Sequence, residues 1–177
     1  TGGITDGTIA SGDLADDAVT AAKIADAVGL GKILQVVTST HGTAVTTTSS
    51  TLAATGLTGV ITPSATSSKV FIMLSFRYGS SRSNNGNKED GYGIRITSGA
   101  GTVIDYDHSG TGWYFQRDDA HAQDTRNITT ITGIDSPSTT SQITYTVKHA
   151  AYQAAGVSSV FCRDNATATL TLMEIGA

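Results

Sequence analysis

The chain has 177 residues and a mass of 18.1 kDa, a size that suits one domain with one hydrophobic core. The formal net charge is −4 and the pI is near 5.4, so nucleic acid is not an expected partner. The single Cys162 excludes an internal disulfide and any multi-cysteine metal site. No apolar run reaches the roughly 18 residues that cross a bilayer, so membrane insertion is not expected.

The composition predicts an all-β protein. Thr and Ser together make up about a quarter of the residues, Gly supplies twenty more, and charged residues are only 15%. Threonine is stiff at χ1 and suits the pleated surface of a sheet, while glycine and serine favour turns. Many short strands are therefore expected.

Residues 1–31 follow a five-residue apolar period, and the segments 7–16 and 17–26 align as a ten-residue repeat. The periodic positions are Ile4, Ile9, Leu14, Val19 and Ile24. One isolated copy of this segment cannot bury these side chains, whereas parallel copies around an axis can. We predict a short repetitive trimeric stem with these five residues directed toward the shared axis. A flexible linker rich in Ala and Asp is the alternative interpretation.

From Lys32 onward the apolar period changes to two, which is typical of half-buried strands. The segment Lys69–Tyr78 is apolar on both faces, so it is predicted to be a central strand covered on both sides. The core would cover one face, and a neighbouring subunit would cover the face that carries Phe71 and Met73.

The segments Ile143–His149 and Ala168–Ile175 have one wet face and are predicted to be outer or edge-like strands. Further strands are predicted at Ile33–Ser39, Leu57–Thr62, Tyr92–Thr97, Thr102–Asp107, Trp113–Phe115, Asn127–Gly133 and Val157–Cys162. About ten short strands without linking helices predict an antiparallel sandwich over residues 32–177, with the jelly roll as the favoured form.

Several motifs resemble a family of phage virion appendage domains. Near the start of the predicted sandwich these are Gly31-Lys-Ile-Leu-Gln-Val-Val37, Leu57-Thr-Gly-Val-Ile-Thr-Pro63 and Ser67-Ser-Lys-Val-Phe71. Toward the end they are Ile134-Asp-Ser-Pro-Ser-Thr-Thr-Ser141, Thr144-Tyr-Thr-Val147 and Thr171-Leu-Met-Glu-Ile175. The Asp-Gly-Thr-Ile and Ala-Lys-Ile-Ala-Asp repeats are similar to fibre stems.

The resemblance implies a homotrimeric jelly-roll head on a slender stem, comparable in architecture to the tumour-necrosis-factor and complement-type trimers. It implies a virion location and other virion proteins as partners, with a host surface glycan as a candidate receptor. The alternatives are a capsid decoration or head-fibre protein that caps the particle, a fibre-borne glycan depolymerase, and a secreted trimeric sandwich without a virion. No catalytic signature is present, so neither enzyme activity nor a cofactor is expected.

The loops Ser80–Asp90 and Ser109–Asp119 are the predicted receptor contacts, because loops tolerate variation that strands do not. The candidate residues are Arg82, Asn84, Asn85, Trp113 and Tyr114. An aromatic ring at a loop margin can stack on a sugar face. The alternatives are a polar loop that serves solubility alone and an aromatic ring packed over the sandwich end or into a subunit interface.

The sequence contains one candidate metal site. Asp105 and Asp107 lie two residues apart at a strand end, where their carboxylates can offer oxygens to Ca²⁺. Strand alternation gives the other interpretation, in which both carboxylates lie on a solvated face. No two of the four histidines have the spacing of a paired ligand motif, and His149 continues the apolar face of its strand, as expected for a core or interface histidine.

Overall fold

The structure, a computed structural model, describes residues 32–82, 89–106, 113–116, 123–152 and 156–176. The chain divides into two units, Thr1–Gly31 and Lys32–Ala177, and every described residue belongs to the second. The predicted stem, with Ile4, Ile9, Leu14, Val19 and Ile24 on a shared axis, lies outside the described residues and stays a prediction.

The described residues form eleven strands and one short 3-10 turn at Arg163–Asn165. The strands are β1 (Ile33–His41), β2 (Val45–Thr47), β3 (Ala53–Ile61), β4 (Lys69–Arg82), β5 (Glu89–Ser98), β6 (Gly101–Tyr106), β7 (Trp113–Gln116), β8 (Gln123–Asp135), β9 (Ile143–Ala151), β10 (Val157–Phe161) and β11 (Ala168–Ile175). Within these ranges no helix is long and apolar enough to span a membrane.

The strands form two antiparallel sheets. In sheet A, β4 pairs with β8 along one edge and with β11 and β10, end to end, along the other, while β1 extends β11 and β2 extends β10. In sheet B, β9 lies between β3 and β5, and the far edge of β5 is shared by β6 and β7. The prediction of an all-β chain with antiparallel strands is confirmed.

The pairing is nested along the chain. The first strand pairs with the last, β2 with β10, β3 with β9, β4 with β8, and β5 with β7 and β6. Successive pairs from β2/β10 inward fall alternately in sheet A and sheet B. The described chain is therefore one long antiparallel ribbon whose two halves contribute to both sheets.

A single apolar core includes residues from the inner faces of both sheets. Alternate residues of β4 are buried, and so are alternate residues of β9 and β11. The rings of Phe76 in sheet A and Tyr92 in sheet B meet edge to face with centroids 6.3 Å apart. Tyr145 of β9 donates a hydrogen bond to Asp135 of β8 over 2.7 Å, so a polar contact also joins the sheets.

Two strands predicted to be outer or edge-like are interior strands. β9 pairs on both sides with β3 and β5, and β11 pairs on both sides with β1 and β4. Their wet faces arise because no described residue covers the outward side of either sheet at these strands, not because an edge is free. Period-two alternation reports how many faces are buried and carries no information on how many edges are paired.

Strand β2 lies in a Thr- and Ser-rich tract that the sequence did not distinguish from a loop. It is only three residues long and pairs with Ser159, Val160 and Phe161 of β10. Three residues are too few to display an alternating pattern. The strand is therefore defined by its partner and not by its own composition.

Glu174 is a fully buried acidic residue on the inner face of β11. Its carboxylate accepts hydrogen bonds from Gln35 Nε2 and from both the backbone N–H and the hydroxyl of Ser64, each over 2.6 Å. Gln35 Nε2 also donates to the carbonyl oxygen of Thr62 over 2.7 Å. This network joins β1, β11 and the loop after β3. Burial alone would raise the pKa of Glu174, but the hydrogen bonds lower it to about 2.

The folded-state pKa of Glu174 is below the ordinary value of 4.5, so its stabilising contribution is present above that pH and is lost as the pH falls toward 2. We expect Glu174→Gln to lower the free energy of unfolding by about 2 kcal/mol at pH 7, because an amide places N–H groups against other donors. Between pH 4.5 and 2, the thermal unfolding temperature of the variant should fall less than that of the wild-type chain.

The matched control is Asp105→Asn, which also neutralises a carboxylate but at an exposed position. Unfolding should be followed by circular dichroism at one fixed protein concentration, since the stability of any oligomer depends on concentration. Identical acid sensitivity in the wild-type chain and in Glu174→Gln would contradict the assignment.

Candidate interaction surface

An apolar row crosses the outward face of sheet A. Val36 of β1 pairs with Met173 of β11, Met173 with Phe71 of β4, and Phe71 with Ile134 of β8. The two flanking residues are the more open, with Val36 55% and Ile134 59% exposed, while Phe71 and Met173 are half-buried. Aliphatic and aromatic side chains thus lie side by side over four adjacent strands.

The surroundings of this row are also rich in apolar side chains. Met73 follows Phe71 on the same face of β4, and Ile175 follows Met173 on β11. Among the described residues, five of the six large exposed hydrophobic side chains belong to β1 or β8 of sheet A: Ile33, Leu34, Val36, Ile128 and Ile134. We call the set Val36, Phe71, Met73, Ile134, Met173 and Ile175 the apolar face.

The outward face of sheet B has the opposite character. A row of threonines crosses it, in the order Thr58, Thr146, Thr97 and Thr102 on β3, β9, β5 and β6. A second row places Lys148 beside Arg95, and Arg95 beside Asp105. Among the described residues, the apolar row of Val36, Met173, Phe71 and Ile134 on sheet A has no counterpart on the outward face of sheet B.

The structure places Phe71 and Met73 on the outward side of β4, while Val70, Ile72 and Leu74 are fully buried in the core. The two predicted interface residues are therefore directed away from the chain's own core. Their contact with a neighbouring subunit stays a prediction.

A charged network occupies the other end of the same outward face. Arg77 of β4 contacts Asp164 of the 3-10 turn over 3.3 Å. Arg126 of β8 reaches Asp124 over 3.1 Å and Asp164 over 3.7 Å, and Arg163 reaches Asp124 over 2.7 Å. The hydrogen bond with Asp124 raises the pKa of Arg126. Three guanidinium groups and two carboxylates leave this corner with one positive charge.

Gly79 makes room for this network. A Cβ atom at Gly79 would lie 2.8 Å from the backbone oxygen of Thr125 and 2.9 Å from Cδ of Arg163. The Arg163 side chain therefore passes beside β4 close to the point where β4 lacks a side chain, and it ends on Asp124 of β8. A glycine at this position allows the turn to pack onto the sheet.

The prediction that Ser80–Asp90 is a loop is wrong at both of its ends. β4 continues to Arg82, because Ser80, Ser81 and Arg82 pair with both β8 and β10, and β5 begins at Glu89. Arg82 is only 2% exposed, so it is not available to a receptor. Asn84 and Asn85 lie outside the described residues.

The aromatic candidates Trp113 and Tyr114 belong to β7, whose backbone pairs with Tyr92 and Gly91 of β5. Their side chains lie outside what the structure describes. A stacking role for either ring stays a prediction.

The carboxylate of Asp105, a predicted metal candidate, is held by Arg95. Arg95 Nε donates to Oδ1 over 3.0 Å and Nη2 donates to Oδ2 over 2.9 Å. Asp107 lies outside the described residues. In the ranges that the structure covers, no group of three or more His, Cys, Asp and Glu residues is placed to hold a metal ion. Burial lowers the pKa of His149 to about 4, so this histidine is neutral at pH 7.

No protein-family model matches this chain, and no curated protein matches it either. Function is therefore inferred from the two outward faces and from the sequence motifs.

We expect Gly79→Ala to destabilise the fold by about 1–3 kcal/mol, because the new methyl group overlaps a backbone oxygen that cannot move independently of β8. Gly99→Ala is the matched control, since its Cβ would meet no described atom within 4 Å. Chemical denaturation of both variants measures the difference. Equal stability of the two variants would show that β8 and Arg163 do not pack closely against Gly79.

Proposed function

We propose that the chain is a structural component of a phage virion, a homotrimeric fibre or appendage whose β-sandwich head, residues 32–177, is exposed for attachment to the host surface. The observation that carries this proposal is the apolar face of sheet A, described above. The virion location rests on the resemblance of the sequence motifs to phage appendage domains.

The apolar face favours association because its burial releases water from aliphatic and aromatic surface, at about 25 cal/mol for each Å². Its two flanks lie on different strands, with Val36 on β1 and Ile134 on β8. A cyclic assembly uses two different patches of each subunit, so that one flank of a copy meets the other flank of the next. The side chains at the two flanks are more exposed than those between them, as expected if each flank meets a different neighbouring copy.

The occupant that fits this face best is another copy of the same chain. Residues 1–31 lead into β1 at Lys32, and Leu34 and Val36 follow within four residues. The five-residue period of that segment independently favours parallel copies around one axis.

The nested strand pairing supports the jelly-roll assignment of the head. In a jelly roll an antiparallel ribbon is rolled so that its paired strands alternate between two sheets. The pairs β3/β9, β4/β8 and β5/β7 follow that alternation.

The depolymerase alternative gains no support from the described carboxylates. A glycosidase needs two carboxyl groups that flank a bond across a cleft, whereas the carboxylate of Asp105 is paired with Arg95. We therefore propose a binding role without catalysis.

Oligomeric state tests the proposal directly. All interface variants and their control are made in a Leu14→Asp background, which removes the predicted association of the stem. We expect the wild-type chain to sediment as a trimer at micromolar concentration and the variant Phe71→Lys/Met73→Lys in this background to sediment as a folded monomer, because two ammonium groups would have to be buried in the interface. The matched control is Thr58→Lys/Val60→Lys, which changes two residues at the same spacing on the outward face of β3.

A second interface variant, Val36→Lys/Ile134→Lys, keeps the test decisive if the first fails to fold, since both residues are more than half exposed. It should also yield monomers with an unchanged far-ultraviolet circular dichroism spectrum. A wild-type monomer, or an intact trimer in this variant, would contradict assembly through the apolar face.

The position of the protein on the particle distinguishes attachment from capsid decoration. An antibody against residues 32–177, used on intact phage in electron microscopy, should label the distal part of a fibre or appendage. Label spread over the capsid shell would favour the decoration alternative, and unlabelled particles that nevertheless infect would contradict a virion role.

A further inference from the structure

Two clefts flank the turn between β5 and β6 on the outward side of sheet B. Each has a volume of about 540 Å³, and residues Thr97, Ser98 and Gly99 of the turn line both. The clefts are therefore neighbours that share these three residues.

The first cleft is cationic. It is lined by Arg95 and Lys148, which are direct neighbours on β5 and β9, together with the hydroxyls of Thr97 and Thr102. The guanidinium of Arg95 is held in place by both carboxylate oxygens of Asp105. Lys148 forms no hydrogen bond or ion pair with any residue of the described ranges. The ammonium group of Lys148 therefore remains available to an anion in this cleft.

The second cleft is neutral and rich in hydrogen-bonding groups. Hydroxyl and amide side chains from β9 and from the loop before it line the cleft, and its walls carry no charged residue. These side chains are Thr139, Gln142, Thr144 and Thr146. Ala100, Pro137 and Ile143 add apolar surface to the lining, so the cleft offers both hydrogen-bonding groups and apolar contacts, which suits a neutral sugar.

We propose that this pair of clefts binds a carboxylated oligosaccharide. A uronate carboxylate would pair with Lys148 and Arg95 in the first cleft, and the hydroxyls of an adjacent sugar would bind in the second. The chain carries a net charge of −4, and a polyphosphate ligand would need many more cations than the two found here. The proposal deepens the attachment function proposed above and rests on it for its biological purpose.

The outward face of sheet B is the face that remains open when copies associate through the apolar face of sheet A. A trimer would then present three such sites to one surface, and three weak sites on one body raise the overall avidity by orders of magnitude. The shallow, polar clefts need only modest affinity for each sugar chain.

The probe is tetragalacturonate, with neutral maltotetraose as the control of equal length, titrated into the full chain by calorimetry. We expect tetragalacturonate to bind at least about tenfold more tightly than maltotetraose and to weaken as salt is added. Lys148→Met should reduce its affinity about three- to tenfold, and Lys148→Arg should restore it. Lys69→Met, which removes the same charge from sheet A, should have no effect.

Asp105→Asn gives a signature that a merely structural role would not produce. It removes the carboxylate that neutralises Arg95, so the affinity for tetragalacturonate should rise while the affinity for maltotetraose stays constant. Unchanged binding in both Lys148→Met and Asp105→Asn would overturn the site, and so would equal binding of the two oligosaccharides.

Adsorption of the fluorescently labelled full chain to host cells separates this inference from the proposed function. Cell adsorption that is competed by tetragalacturonate and weakened by Lys148→Met supports both the cleft and the attachment function. Adsorption that neither the competitor nor the substitution alters overturns the cleft and leaves the attachment function standing. Binding of tetragalacturonate without any adsorption supports the cleft and overturns the attachment function.

Discussion

Successive side chains of a β-strand point to opposite faces, and β4 is apolar on both faces from Val70 to Leu74. Val70, Ile72 and Leu74 enter the core, so Phe71 and Met73 must point outward. Because β4 pairs along its whole length with β8 and is paired on its other edge by β11 and β10, it cannot rotate to hide the second set. Strand β4 thus contributes both to the core of the chain and to the apolar face of sheet A.

The two outward faces differ in the side chains that cross them beside Phe71 and beside Arg95. On sheet A, Val36, Met173 and Ile134 continue the apolar character of Phe71 across the neighbouring strands. On sheet B, threonines and the Lys148, Arg95 and Asp105 row occupy the equivalent positions. A threonine row suits a sheet face in contact with water, since its methyl groups pack across strands while its hydroxyls are hydrated. One face is therefore suited to association and the other to soluble polar ligands.

Much of the fold could be predicted from the sequence, because alternation is a local property. The outward position of Phe71 and Met73 was evident from Lys69–Tyr78 alone, and β11 was predicted with its observed ends. Edge pairing and register are not local, so the interior positions of β9 and β11 and the extension of β4 to Arg82 were missed. The sheet B clefts were missed for the same reason. Arg95 and Lys148 are ordinary surface residues in the sequence, and only the β5/β9 register places them side by side.

The nested ribbon also determines the order in which the head can be completed. Gln35 of β1 and Glu174 of β11 are hydrogen-bonded although they are 139 residues apart, so sheet A lacks two of its strand pairs until β11 has been synthesised. Pairings of such high sequence separation form slowly, since the entropy of closing a long loop is lost before the contacts form. During that interval both faces of β4 lack their full cover, which makes the nascent head prone to aggregation. In a chain of this topology β11, the last strand of the described residues, is therefore the one that completes both the core and the outward face of sheet A.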